Sequence, residues 1–309
     1  MRVVEKINSA IHKLMEENDD LYIIGEDILD PYGGAFKVTK GISKIYPERV
    51  LTTPISEPSI VGFSSGMAMN GKKVIVEIMF GDFLALTFDQ IVNQISKFIW
   101  IYNDIKMPLI IRTPMGGGRG YGATHSQSLE KHFCGISGVK VLSINQFSNF
   151  YEIYAEALNS QKPTIIIENK VLYGKNVLDN SKIYMQDNPD IICVTYGGSL
   201  DVCIESAKEV NEIEEIITEV FPIEVMSPFN HKMIKKLSNK CKKFLFIEES
   251  GGGWGFNEMC KSALTGVDGI IYSSLTGPDH PIPSSKDWEL NLMPNKTNIS
   301  KEIINLFNS

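Results

Sequence analysis

Hydrophobic positions along this chain alternate between two periods. Ile7, Ala10, Ile11, Leu14 and Met15 recur at the spacing of one helical face, which predicts an amphipathic helix. Leu21-Tyr22-Ile23-Ile24 is a short apolar run closed by Gly25-Glu26-Asp27, which predicts a buried strand. A helix is expected to start between Pro54 and Ser59. Its body, Ile60 to Met69, is rich in Gly and Ser and suits close approach to a neighbour. Lys73 to Ile78 predicts a strand. Leu84 to Ile101 predicts one long helix with Phe88, Ile91, Ile95 and Phe98 on one side. Leu109 to Ile111 reads as a strand that runs into a glycine-rich loop. Val139 to Leu142 (strand), Phe150 to Leu158 (helix) and Thr164 to Ile167 (strand) complete this half.

A polar, aperiodic stretch over 174–189 reads as a linker, and the alternation then restarts. Strands are predicted at Ile191 to Tyr196, Ile217 to Glu224 and Phe244 to Ile247. Helices are predicted at Ser199 to Glu209, Asn230 to Ser238 and Trp254 to Leu264. Strands alternating with helices imply an α/β fold with mainly parallel sheets covered on both faces. In such sheets ligands sit beyond the carboxyl ends of the strands. The motif-rich loops of the first half fall at those ends, so that half is expected to carry the site.

The length of 309 residues fits two domains, large enough to bury a core without disulfides or a structural metal. The net charge of −7 argues against a nucleic-acid partner, because phosphate binding rests on clustered Lys and Arg. The densest apolar stretch, Phe98 to Tyr102, is far shorter than a membrane span, and MRVVEKINSA has no apolar signal core. Cys134, Cys193, Cys203, Cys241 and Cys260 are odd in number, widely spaced and without a C-x-x-C pair. They predict free thiols in a reducing compartment, the cytoplasm, rather than a disulfide framework or zinc site.

Four segments offer chemistry. In Thr53-Pro54-Ile55-Ser56-Glu57-Pro58, Ser56 is placed to cap a helix, with the acid and proline in its first turn. A semi-buried Glu57 is also suited to share a proton with a heterocyclic nitrogen, since burial raises a carboxyl pKa toward neutrality. The loop Met115 to Ala123 contains Gly118-x-Gly120-x-x-Ala123, a loose dinucleotide fingerprint, but Ser143-Ile144-Asn145 ends the next strand without an acid for a ribose. A mobile loop or a long crossover fits the same glycines. His125 stands where this loop gives way to a predicted helix and is either a satisfied polar group or a proton shuttle. His125 and His132 lack a third ligand, which disfavours a metal site. Asp82 is a candidate N-cap, and Phe83 is either core or a stacking platform for a flat ring.

Taken together, Gly25-Glu26-Asp27, Gly33 to Val38, Thr53 to Glu57, Phe88 to Asn93, His125 to Ser128 and Glu168-Asn169 resemble, in order and spacing, a known family. It is the beta subunit of the thiamine-diphosphate-dependent 2-oxo-acid dehydrogenases of pyruvate and branched-chain type. The second half resembles the transketolase C-terminal domain, with Glu248-Glu249 as its clearest motif. The resemblance implies a pyrimidine-binding domain over 1–175, a linker over 176–189 and a transketolase C-terminal-like domain over 190–309. It implies that Glu57 contacts the aminopyrimidine nitrogen of thiamine diphosphate, and that Glu26 lies close by. Phe83 is then the aromatic residue beside the pyrimidine, and His125 the histidine at the substrate and lipoyl mouth. The family often holds a structural potassium ion through backbone oxygens, which places its neighbourhood at Leu109, Ala157, Leu158 and Ser160.

Such enzymes hold magnesium and diphosphate through Gly-Asp-Gly and a downstream Asn, but here Gly81-Asp82 is followed by Phe83. The resemblance therefore implies an alpha subunit that brings these groups, in a heterotetramer of two alpha and two beta chains, with a lipoyl acyltransferase as a further partner. Tyr102 to Lys106, the Arg119 and Tyr121 loop, and Thr276 to Pro281 depart from the usual family pattern, so substrate and acceptor stay open. A split transketolase-like or acyloin-forming carboligase is the alternative. A sugar phosphate would need several basic groups, and the loop offers mainly Arg119, His125, Lys131 and His132. An inactive scaffold and a nicotinamide-dependent dehydrogenase are more distant rivals.

Overall fold

In the computed structural model, residues 1–102, 105–179 and 183–309 are described, and their strands form two sheets. The strands are β1 Leu21–Gly25, β2 Val50–Thr52, β3 Lys73–Glu77, β4 Leu109–Met115, β5 Lys140–Ile144, β6 Thr164–Asn169, β7 Ile191–Tyr196, β8 Thr218–Ile223, β9 Val225–Ser227, β10 Lys243–Gly251 and β11 Ile271–Gly277. The first sheet runs β2-β1-β3-β4-β6-β5-β9 and the second β11-β10-β7-β8. Every pairing is parallel except β5 with β9. Every residue of β4, β6 and β7 is buried, as expected of parallel strands covered on both faces.

The opening helix Val3–Glu17 buries the five predicted positions and Val3, and packs on the helix Phe150–Asn159. The helix Ser199–Glu214 runs beyond the predicted end and packs on the final helix Lys296–Phe307. Three expectations change. The predicted helix over 84–101 is a 3₁₀ segment Gly81–Thr87, a π-helical stretch Gln90–Ile95 and an α-helix Ser96–Ile101. The wider π turn shifts positions before it relative to those after it, so one stripe does not extend from 88 to 98. Ile91 and Ile95 are buried, whereas Phe88 is 42% exposed. Second, the predicted strand over 217–224 is followed by β9, which leaves the second half and pairs antiparallel with β5 of the first sheet. Third, β2, β11 and the helices Lys286–Leu292 and Lys296–Phe307 carry no prediction from periodicity. Residues 103–104 of the departing loop and 180–182 of the linker lie outside the described residues.

The centre of the first sheet holds a charged cluster. Arg112 on β4 is 1% exposed and donates from Nε to Glu168 Oε1 on β6 at 2.7 Å, with further bonds to Glu168 and to Glu77 on β3. Tyr173 donates to Glu168 Oε2 at 2.6 Å, and Tyr154 also donates to Glu168. Burial raises the Glu77 pKa, opposed by Arg112. Burial lowers that of Arg112, but Glu168 and Glu77 more than offset it and hold it well up.

The glycine-rich loop after β4 is a seam between the two halves. Gly117 N–H donates to Glu249 of β10 at 3.3 Å, and Gly120 N–H donates to Glu289 of the helix Lys286–Leu292. Gly116 has φ +91°, and a Cβ there would lie 2.4 Å from Asn169 Nδ2 and 2.6 Å from Glu249 Oε2. Close approach explains the glycine, and no helix opens at this loop as the dinucleotide fingerprint requires. Gly116→Ala is expected to destabilise by roughly 2–3 kcal/mol, combining left-handed strain with overpacking, and to lower the urea midpoint accordingly.

Candidate active site

Glu57 is the first residue of the helix Glu57–Met69, and the loop leading to it from β2 is tied by Thr53 N–H to Gly25 O at 3.1 Å. Ser56 stands at the N-cap, but its hydroxyl bonds Ser59 Oγ at 2.8 Å instead of a helix N–H, so the expected side-chain cap is absent. Glu57 is 5% exposed, and Glu26, just past the end of β1, is 6% exposed. Burial raises the Glu26 pKa, the Glu57 and Asp27 charges raise it further, and a main-chain bond from Ser56 opposes them. Glu26 Oε1 is buried with no hydrogen-bond partner among the described residues. An acid pair thus occupies one corner at the carboxyl ends of neighbouring strands.

The segment after β3 supplies the aromatic side. His125 packs edge-on against Phe83 at 5.2 Å and against Phe80 at 4.7 Å between ring centroids. Its Nδ1 bonds Thr124 Oγ1 at 2.8 Å. Both Phe83 and His125 are half-buried. Asp82 is not an N-cap; it accepts from the Gln127 main chain at 3.2 Å and side chain at 2.9 Å, and so fixes the loop two residues beyond His125. The helix Glu57–Met69 packs on Gly81–Thr87. The sequence-predicted residues therefore form two groups, Glu26 with Glu57 and Phe83 with His125, past the carboxyl ends of β1 to β4, on segments that pack together.

Leu109, Ala157, Leu158 and Ser160 gather elsewhere, at the amino end of β4, where Met107 N–H donates to Gln161 O at 2.8 Å. Ala157 O accepts from Ser160 Oγ at 2.8 Å, and Leu158 O from Gln161 N–H at 3.4 Å. Among the described residues, no group of three or more His, Cys, Asp or Glu is placed to hold a metal ion.

Of the Glu248-Glu249 motif, Glu248 caps the helix Phe256–Ala263 by accepting from Phe256 N–H at 3.1 Å and Asn257 N–H at 3.0 Å. Glu249 reaches the seam and accepts from Asn169 Nδ2 at 2.9 Å. A cavity of about 440 Å³ opens beside it, lined in part by Gln127, Ser128, His132 and His280. Burial pushes the Glu130 carboxyl up to about 7, opposed by a hydrogen bond from Tyr196 of β7. Sequence reasoning missed Phe80, Lys170 and Glu289 at this edge. The spacing Phe80-x-x-Phe83 around a helical turn was the available signal for the first.

Ile55, Phe63 and Leu86 are 83%, 59% and 55% exposed on the very segments that carry Glu57 and Phe83. Exposed apolar side chains on segments that carry a site are of the kind a partner covers.

Comparison with known proteins identifies the family of the chain. Residues 1–175 match the transketolase pyrimidine binding domain and residues 182–299 the transketolase C-terminal domain. The chain is 27% identical to the mitochondrial pyruvate dehydrogenase E1 component subunit beta of Saccharomyces cerevisiae, over 98% of this chain and 88% of the relative. It is 30% identical to the mitochondrial 2-oxoisovalerate dehydrogenase subunit beta 2 of Arabidopsis thaliana, over 97% and 87%. Among solved structures, a split-gene transketolase described as an inactive beta4 tetramer aligns with a TM-score of 0.81 at 18% identity, over 98% of this chain and 97% of that one.

Proposed function

Because this chain belongs to the 2-oxo-acid dehydrogenase beta subunits built from transketolase pyrimidine-binding and C-terminal domains, we propose that it supplies the pyrimidine side of a thiamine diphosphate site shared with an alpha subunit. In this reading the complex decarboxylates a 2-oxo acid and passes the acyl group to a lipoyl acceptor. The observation that carries the site is the buried pair Glu26 and Glu57, with Glu26 Oε1 lacking a partner among the described residues; the helix that Glu57 starts packs on the segment of Phe83. A flat heterocycle with ring nitrogens fits such a corner. When bound, the cofactor supplies the nucleophilic carbon and electron sink for decarboxylation.

The residues of this chain then have separate tasks. Glu57 holds a proton at the pyrimidine nitrogen, and burial keeps water from competing for it. Glu26 is the second acid at that corner, its carboxyl raised by burial and by Glu57. Phe83 packs the ring face. His125, held edge-on by Phe80 and Phe83, lies at the mouth to orient the acyl acceptor or move a proton there.

Magnesium and the diphosphate belong to the alpha subunit, which carries the Gly-Asp-Gly that this chain lacks. Ile55, Phe63 and Leu86 form the apolar ground on which that subunit sits, in a heterotetramer of two alpha and two beta chains. A potassium ion takes backbone oxygens near Leu109, Ala157, Leu158 and Ser160. The five free thiols suit the cytoplasm.

Purification of the tagged chain from its source cells, with mass identification of what accompanies it, tests this reading. We expect a stoichiometric second chain with Gly-Asp-Gly, and thiamine-diphosphate-dependent acylation of a lipoyl protein by the complex. Carboligation of an aldehyde without lipoyl acylation would instead select the transketolase-like or acyloin-forming alternative. Isolation of this chain alone, inactive with the cofactor, would defeat the shared site.

A further inference from the structure

Lys170 follows β6 directly and is 0% exposed, yet it carries an ammonium. Its Nζ donates to the His125 carbonyl oxygen at 2.7 Å and stands 5.7 Å from the centroid of the Phe80 ring. Its main chain is held on both sides. Its N–H donates to Met115 O at 2.9 Å, and its carbonyl accepts from Arg119 at 2.6 Å. The charged groups that face it come from four elements: Asp82 of Gly81–Thr87, Glu249 of β10, Glu289 of the helix Lys286–Leu292, and Arg119 of the glycine-rich loop. Burial lowers its pKa to about 8, opposed by those three acids.

We propose that Lys170 is a positioning residue, which clamps the main chain at His125 and so sets the imidazole against Phe80 and Phe83. The proposal rests on the role given above to His125. An apolar side chain of similar volume would fill this space without the cost of burying a charge. The ammonium instead bonds the carbonyl of the residue that packs on Phe80 and Phe83. Glu249 and Glu289 lie within its electrostatic reach, so the clamp answers to the second domain as well as the first.

A neutral amine is a weaker donor than an ammonium. In the folded protein Lys170 is charged below about pH 8 and loses its proton as pH rises through that value. The clamp is therefore intact below pH 8 and slackens above it.

The test uses the assembled complex of this chain with its alpha partner. Wild-type kcat is expected to fall as pH rises through about 8. Lys170→Met is expected to lower kcat roughly ten- to a hundredfold at pH 7, with little change in KM for the oxo acid, and to flatten that alkaline fall. Lys170→Arg, which keeps its charge, should keep more activity than Lys170→Met and also lack the fall. The imidazole resonance of His125 should move in Lys170→Met, which gives a readout independent of turnover. If Lys170→Met does not assemble, the alkaline limbs of wild type and Lys170→Arg decide. An unchanged limb in either variant, or an unmoved His125 resonance, overturns the clamp. A wild-type complex with no thiamine-diphosphate-dependent turnover would refute the proposed function instead, and the resonance would still judge the clamp.

Discussion

Glu57→Gln in the assembled complex is expected to lower kcat by roughly 10²- to 10⁴-fold, the range for loss of a positioned proton-transfer group. The substitution keeps the volume and polarity of the side chain but removes its transferable proton. Glu57 is 5% exposed at the first turn of its helix, so the amide should occupy the same place without disturbing Ile60 and Val61 below it. Cofactor affinity should fall far less than kcat, because diphosphate and magnesium are held by the other subunit in this reading. Calorimetric titration of the cofactor beside steady-state kinetics separates the two. A second effect follows at Glu26. The Glu57 charge is one reason its pKa is raised, after burial itself, so Glu57→Gln should bring the Glu26 pKa down. Near-normal turnover in a variant that still binds cofactor would remove Glu57 from the chemistry.

Much of this site was legible in the sequence, for reasons that differ between residues. Buried parallel strands show as short apolar runs, as in Ile191 to Tyr196 of β7 and Leu109 to Ile111 at the start of β4, whereas Arg112 and Thr113 hide the rest of β4. Glu57, Glu26, Phe83 and His125 were reached through motif order, since each alone has an ordinary structural explanation. The glycines at 116 to 122 were visible but ambiguous. What they meet, Asn169, Glu249 and the helix Lys286–Leu292, lies 50 to 170 residues further along the chain.

Other parts left no local trace. β11 is a half-exposed edge strand, IYSSLTG, without clean alternation. Glu289 is buried beside Trp288, which is 69% exposed, so neither residue type announced its environment. β9 is three residues long, and its place in the first sheet depends on chain return rather than on pattern. Lys170 reads as a surface lysine because the acids that receive it come from three distant segments.

Arg112→Met is expected to cost about 3–5 kcal/mol of stability at pH 7, the range for breaking a buried ion pair by removing one partner. A domain usually has only about 5–15 kcal/mol to lose. Among the described residues Arg112 is the one cation bonded to Glu77 and Glu168, and both carboxylates are buried, 3% and 1% exposed. Without it, two like charges face each other across β4 in a space that water does not reach. Burial and the Glu168 charge already push the Glu77 pKa up, and only Arg112 opposes them. In the variant the Glu77 pKa therefore rises further above its unfolded value. Folding then favours the protonated Glu77, so the deficit is smallest at low pH and grows as pH rises through that raised value. Urea unfolding of wild type and variant at pH 5 and pH 7 should show this widening gap. Adding Glu77→Gln and Glu168→Gln should recover a large part of the loss, since neutral groups do not repel. β3 and β6 lead directly into Phe80-Gly81-Asp82-Phe83 and into Lys170, so the folded fraction of the variant should track turnover. A loss under about 1 kcal/mol at pH 7, the size of an exposed pair, would mean that the carboxylates find water or a proton without Arg112.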